Sequence, residues 1–426
     1  MKIALTEFGL ALLFIFTFGV PVQAKQCPSR MAEKMHQVGE HELYWGLEFR
    51  LTHFFMWDKD LSADQPAYEF NHGGFFALRG ATEWAPVPWV NFRLETELKA
   101  RNGVDNCNAW AVDLKKEFQL IPQLRHMYVQ LEPADDTQVR VGRQNIVWGS
   151  QALLDNFFDA ISLDQKLGEK FQLEAFAGVF VPELTRETLG CGYELYYENR
   201  RAWKRLCTMN YADVWMGGAF LTLKHFKPHR IRFAGLYQRD RRDDQEISPQ
   251  HPEPLTMVFG SFSVSGPIGE TLSYDAEALI GYKPENQAWI PGYVTSLEAT
   301  FDMPRGHLFL IPRAIGSFPD TQGNHFTAVG EHFDLGARAR YGLYDGHVKS
   351  LLVRYRWWAY QMEMGYHLHS ADFVYDFIDD ELEAGITFFW KNDPRYQFIA
   401  TYSLINTFIG DLAPNHGFRI QARILF

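Results

Sequence analysis

Asn91-Phe92-Arg93-Leu94-Glu95-Thr96-Glu97-Leu98-Lys99 sorts itself into two faces. Phe92, Leu94, Thr96 and Leu98 fall on one side of an extended backbone, while Arg93, Glu95, Glu97 and Lys99 fall on the other. A repeat of two residues is the side-chain period of a β-strand, since successive Cβ atoms point to opposite faces. The same alternation returns at Phe171, Leu173, Ala175, Ala177 and Val179 against Gln172 and Glu174. It returns again at Leu335, Ala337, Ala339 and Tyr341 against Asp334, Arg338 and Arg340, and at Phe418, Ile420, Ala422, Ile424 and Phe426 against Arg419, Gln421 and Arg423. Helical periodicity is nearly absent past residue 40.

The connections between these segments alternate in length. Short turns are read at 85–88, 133–137, 167–170, 227–230, 266–270, 303–306, 344–346 and 391–394. Longer polar stretches lie at 55–71, 101–123, 148–157, 181–211, 240–255, 283–291, 319–330, 361–379 and 408–416. Eight turns and nine loops join eighteen strands. Strict alternation is the organisation of an antiparallel transmembrane β-barrel, with short turns on the periplasmic side and long loops outside. Closure follows from hydrocarbon solvation, because an open sheet edge would leave backbone N–H and C=O groups without partners. The aromatic residues Trp84, Trp89, Trp215, Trp357, Trp358, Phe389 and Trp390 stand at strand ends, where interfacial girdles would sit.

Composition agrees with this class. Of 426 residues, 46% are hydrophobic and 22% charged, which excludes a disordered chain. The formal net charge of -11 argues against a nucleic-acid partner, which would require a basic face. Residues 1–24 read as a secretory signal peptide: Lys2, an apolar run from Leu10 to Val20, and the small-residue pattern Val22-Gln23-Ala24. Residues 25–41 form a periplasmic arm, able to act as a plug, and 42–426 form the barrel. No later window is long and apolar enough for a membrane helix. The final strand, ending on Phe426, resembles the assembly signal of bacterial outer-membrane proteins, so the expected location is the outer membrane.

The run Val139-Arg140-Val141-Gly142-Arg143-Gln144-Asn145-Ile146-Val147-Trp148-Gly149, followed by Leu153-Leu154-Asp155-Asn156-Phe157-Phe158-Asp159, resembles the alginate-export family of outer-membrane porins. Its motif residues are Gly142, Arg143, Gln144, Trp148 and Gly149. The resemblance implies an eighteen-stranded barrel that passes an anionic polysaccharide or smaller anion through a basic constriction. Arginine suits that task because its fork binds carboxylates bidentately. Strand parity points Arg50, Arg79, Arg93, Arg140, Arg232, Arg338, Arg340, Arg354, Arg356, Arg419 and Arg423 into the lumen, the last six on neighbouring parts of the wall. Glu95, Glu97, Glu174, Asp275, Glu277, Glu381 and Glu383 point inward too, so the wall is mixed in sign. Arg143 and Gln144 cannot share a face without a bulge, and Arg143 is expected to be buried as a structural pin.

The four cysteines suit an oxidising compartment. Cys191 and Cys207 share one loop and are expected to bridge, contributing about 3 kcal/mol. Cys27 with Cys107 is an open alternative; the intervening arm would thread the lumen, within a reach of about 45 Å. No H-E-x-x-H, C-x-x-C or G-x-S-x-G pattern occurs, so neither an enzyme nor a cofactor is expected. The expected partners are outer-membrane lipid, an anionic solute or polysaccharide and, through Phe426, the barrel-assembly machinery. A non-conducting barrel that binds partners through its loops, and a soluble secreted β protein, are the competing readings.

Overall fold

The computed structural model describes residues 34–38, 41–59, 68–103, 119–148, 154–180, 214–240, 256–284, 287–318, 347–370, 377–407 and 415–426. A short β1 (Lys34–Val38) precedes eighteen wall strands. These are β2 (His41–Lys59), β3 (Tyr68–Val87), β4 (Val90–Gly103), β5 (Gln119–Ala134), β6 (Thr137–Trp148), β7 (Leu154–Leu167), β8 (Phe171–Phe180), β9 (Val214–Leu223) and β10 (Arg230–Asp240) in the first half. The second half holds β11 (Thr256–Ile268), β12 (Leu272–Lys283), β13 (Ala288–Met303), β14 (Gly306–Ser317), β15 (His347–Trp357), β16 (Tyr360–Ser370), β17 (Phe377–Phe389), β18 (Tyr396–Thr407) and β19 (Asn415–Leu425).

Each wall strand pairs antiparallel with its sequence neighbours, and β19 pairs with β2 from His416↔Trp57 to Leu425↔Glu48. The sheet therefore closes without an edge, which lets it stand in hydrocarbon. The seam is finished by the C-terminal residue, whose N–H donates to the Leu47 carbonyl at 2.8 Å. No described helix is long and apolar enough to cross a membrane.

The outer face is apolar along the strands, with Leu51, Leu78, Leu94, Ile161, Leu351, Met364 and Ile420 all exposed. Trp84, Trp89, Phe92, Trp357, Trp358 and Trp390 cluster by the short turns. Trp84 and Phe92 stack at 5.5 Å across β3 and β4. A closed barrel with this apolar belt and aromatic rim is built for an outer membrane. Phe389 departs from the expected girdle: it is buried inside the wall, with the Arg356 guanidinium 5.4 Å above its ring.

A short turn that was not expected falls at Trp358-Ala359, between β15 and β16, and the connection expected at 344–346 lies outside the described residues. Trp358 adopts φ 46°, so a bulky residue makes a bend that glycine or asparagine would normally announce. The span 361–370, expected as loop, is β16; its inner face carries Gln361, Glu363, Gly365, His367 and His369, a polar series that reads as loop. The strand expected near 335–341 lies outside the described residues, as do all four cysteines. The described residues form eighteen wall strands, with β14 paired directly to β15.

Candidate functional site: the lumen wall

The inner face of β2 to β5, with β19, carries a lattice of ion pairs. Glu48, with its side chain 2% exposed, accepts from Arg50 at 2.6 Å and from Arg423 Nη2 at 3.2 Å, and Arg79 stands 3.6 Å away. Glu95 is fully buried and binds Arg79 through its Nε at 2.6 Å, Arg93 at 3.4 Å, Arg125 at 3.4 Å and His126 at 3.2 Å. Arg93 also reaches Glu83 at 3.1 Å, and Arg125 reaches Glu97 at 3.0 Å. Five arginines are thus set against Glu48, Glu83, Glu95 and Glu97. Carboxylates and guanidiniums this dry must be paired, since an isolated buried charge is very costly.

Arg125 enters this lattice unforeseen. A register shift opposite Glu95/Thr96 brings it to the inner side of β5 next to His126, and parity counting has no means of seeing a bulge.

Elsewhere the predicted arginines are spread out. Arg140 on β6 donates to the amide oxygens of Gln130, at 3.0 Å, and Gln138, and lies 5.8 Å from the Tyr128 ring. Arg232 on β10 touches Thr222 at 3.3 Å and Glu174 at 3.7 Å, beside an acidic strip made by Asp275 and Glu277 of β12. Arg354 on β15 pairs with Glu363 at 2.6 Å, whereas Arg356 lies on the Phe389 ring. Arg419 is on β19, opposite Thr401. Arg338 and Arg340 lie outside the described residues. The expected grouping of the last six is not seen for the described four: Arg354 and Arg356 are on β15, Arg419 and Arg423 on β19, with three strands between.

A lumen residue that the sequence reading missed is Arg313. It points inward from β14, between Ser296 and Ser350 in register, and makes no hydrogen bond or ion pair to any described residue. Its charged neighbours are Arg354, Glu363, Glu298 and Glu383. Beside it Ser350 and the His367 ring nitrogen Nδ1 are 2.8 Å apart, and His367 Nε2 is 3.3 Å from Glu383. Ile311 and Ile315, both fully buried, flank Arg313 along the strand and leave it the one charge of that inner face.

The motif on β6 divides between the faces. Gly142 has φ +125°, and a Cβ there would come within 2.3 Å of the Met127 carbonyl oxygen, so glycine is required. Gln144 points inward and bonds the Ala160 carbonyl at 3.0 Å and the Ser162 hydroxyl at 2.6 Å. Arg143 pins β6 to β7 by a two-pronged pair with Asp159, both contacts 2.9 Å. It does so on the outer face, with Asp159 half exposed, rather than in the buried setting expected. Trp148 ends β6, and Gly149 lies outside the described residues.

No family model matches the chain, and no curated protein is similar to it by sequence. Solved structures share its fold. The outer membrane protein opdK from Pseudomonas aeruginosa aligns with a TM-score of 0.54 at 10% identity, covering 89% of this chain and 98% of that one. Pseudomonas aeruginosa OccK2 (OpdF) in complex with glucuronate aligns at 0.56 with 9% identity, covering 89% and 97%. Acinetobacter baumannii OccAB3 aligns at 0.54 with 11% identity, covering 90% and 99%. The chain has the eighteen-stranded antiparallel barrel of the outer-membrane porins.

Proposed function

We propose that the chain is a passive outer-membrane channel for small anionic solutes, carboxylates above all. Arg313 carries the reading. A guanidinium that faces the lumen with no hydrogen-bond or ion-pair partner among the described residues offers its donor fork to whatever passes, and its fixed charge lowers the energy of an anion in a narrow pore. Arg140, held by two neutral amides, adds a second cation whose charge no carboxylate offsets at contact distance. Proteins of the same fold have been solved with glucuronate and with vanillate, which supports a carboxylate-sized solute. An alginate-like polymer would be served better by a continuous file of free cations, and six of the described wall arginines, Arg354 among them, are committed to glutamates. Phe426, bonded into the seam, fits the reading of the last strand as an assembly signal.

Reversal potentials across a planar bilayer under a salt gradient test this. The wild type should prefer anions, and Arg313→Ala should lose much of that preference. A non-conducting barrel, or a preference unaltered by the substitution, would refute the proposal.

A further inference from the structure

Arg313 has a serine on each side of it. In register it lies between Ser296 of β13 and Ser350 of β15. The guanidinium can only donate, so anything a solute donates must be taken up by its neighbours. What the two hydroxyls can add depends on how their hydrogens are already used. The Ser296 hydroxyl has no hydrogen-bond partner among the described residues, whereas Ser350 Oγ is 2.8 Å from His367 Nδ1. At the other side of the ring, His367 Nε2 is 3.3 Å from Glu383 Oε1. A methyl group on Gly365 would meet that carboxylate oxygen at 2.6 Å and Nε2 at 2.9 Å, so the glycine leaves the space in which ring and carboxylate come together.

This arrangement fixes which way the hydrogens point. An ionised carboxylate has no hydrogen to give and repels a nitrogen lone pair, so the single N–H of the neutral ring is drawn to the Glu383 side. Nδ1 is then an acceptor, and the Ser350 hydroxyl donates to it. Ser350 and His367 are 7% and 3% exposed, which leaves water little chance to compete for that hydrogen. Ser350 therefore has lone pairs to offer a solute and no hydrogen. We infer that the site beside Arg313 selects 2-hydroxycarboxylates over the same acids without the hydroxyl, the carboxylate resting on the guanidinium and the solute hydroxyl donating to Ser350 Oγ. Directly opposed side chains on neighbouring strands stand about 5 Å apart at Cβ, so one small solute spans both. A plain carboxylate leaves Ser350 unused, and a site built to bond a hydroxyl discriminates against the analogue that lacks it. His367 and Glu383 act as positioning residues, since they touch Ser350 or each other and not the solute. The inference rests on the channel reading and names the solute class of the same site.

Lactate and propionate, equal in charge and differing by one hydroxyl, read the difference. Reversal potentials in a planar bilayer at neutral pH give the permeability of each relative to chloride. The expected result is lactate several-fold above propionate in the wild type. Ser350→Ala should bring the two to parity by lowering lactate alone, with the preference for anions kept. Glu383→Gln, whose amide can donate to Nε2 and so turn the ring's N–H toward Ser350, frees the serine hydrogen for a carboxylate and should narrow the gap by raising propionate. Equal permeabilities in a wild type that still prefers anions would overturn the inference and leave the channel reading standing; a wild type without anion preference would end both. A Ser350→Ala channel that loses lactate and propionate alike would make Ser350 a donor to the carboxylate, which also overturns the assignment. Should Ser350→Ala lose heat-modifiable migration and so fail to fold, Glu383→Gln decides, and a ratio it leaves unchanged would refute the role given to His367.

Discussion

Two parts of one inner wall treat arginine in opposite ways. Across β2 to β5 and β19, five arginines are each set against at least one glutamate, Glu48, Glu95 and Glu97 being buried. On β14, Arg313 sits between two buried isoleucines and makes no ion pair with a described carboxylate. The first arrangement holds strands together; the second leaves a charge available to a solute. An arginine inside a pore is therefore no measure of anion affinity until its partners are known, because a guanidinium paired with a carboxylate presents a dipole rather than a net charge.

Glu95→Ala gives the sharpest test of the lattice. Four basic side chains lose their shared acceptor, and Arg79 is left buried without it. Breaking one member of such a group costs about 3–5 kcal/mol. The expected outcome is a clear drop in the urea midpoint of the folded barrel in liposomes. A midpoint equal to wild type would mean that the lattice is not what holds β2 to β5 together.

Gly142→Ala comes next, at about 1–3 kcal/mol for a strained backbone. The added methyl group collides with the Met127 carbonyl oxygen, so the β5–β6 ladder must open locally. Faster amide hydrogen exchange confined to those two strands would show it; an unperturbed ladder would mean the φ of +125° is not required.

Arg313→Ala inverts the Glu95 result. No described partner is orphaned, so the urea midpoint should stay near wild type while anion preference falls. Loss of stability without loss of selectivity would reverse the roles assigned to the two regions.

The sequence made the wall legible because lipid on one side and water on the other force a period of two over most strands. It failed where that contrast faded. In Ile311-Pro312-Arg313-Ala314-Ile315 both faces are largely apolar, so Arg313 has no alternating neighbours to announce its direction. Arg125 was hidden by a bulge, and β16 by an inner face rich in histidine and glutamate. Which arginines are paired is a property of cross-strand neighbours: Glu48 and Arg423 are joined only by the closure of β19 on β2. Parity supplied direction, and partnership had to come from register.

Asp393 and Arg395, in the turn between β17 and β18, calibrate the whole comparison because they repeat the lattice's chemistry in water. Arg395 donates to both Asp393 carboxylate oxygens, and its backbone N–H adds a third bond at 2.9 Å. These hydrogen bonds hold the Asp393 carboxyl below its ordinary range, so any stabilisation is present above that range and fades as the pH falls through the lowered value. The pair lies in a surface turn with the Arg395 side chain half exposed, and water competes for the donors that Arg395 offers. Asp393→Asn should therefore leave the urea midpoint at pH 7 unchanged within error, and the wild type and the variant should converge further at acid pH. If this wet pair proved as costly to break as Glu95, burial would not be what separates the closed lattice from an ordinary surface ion pair.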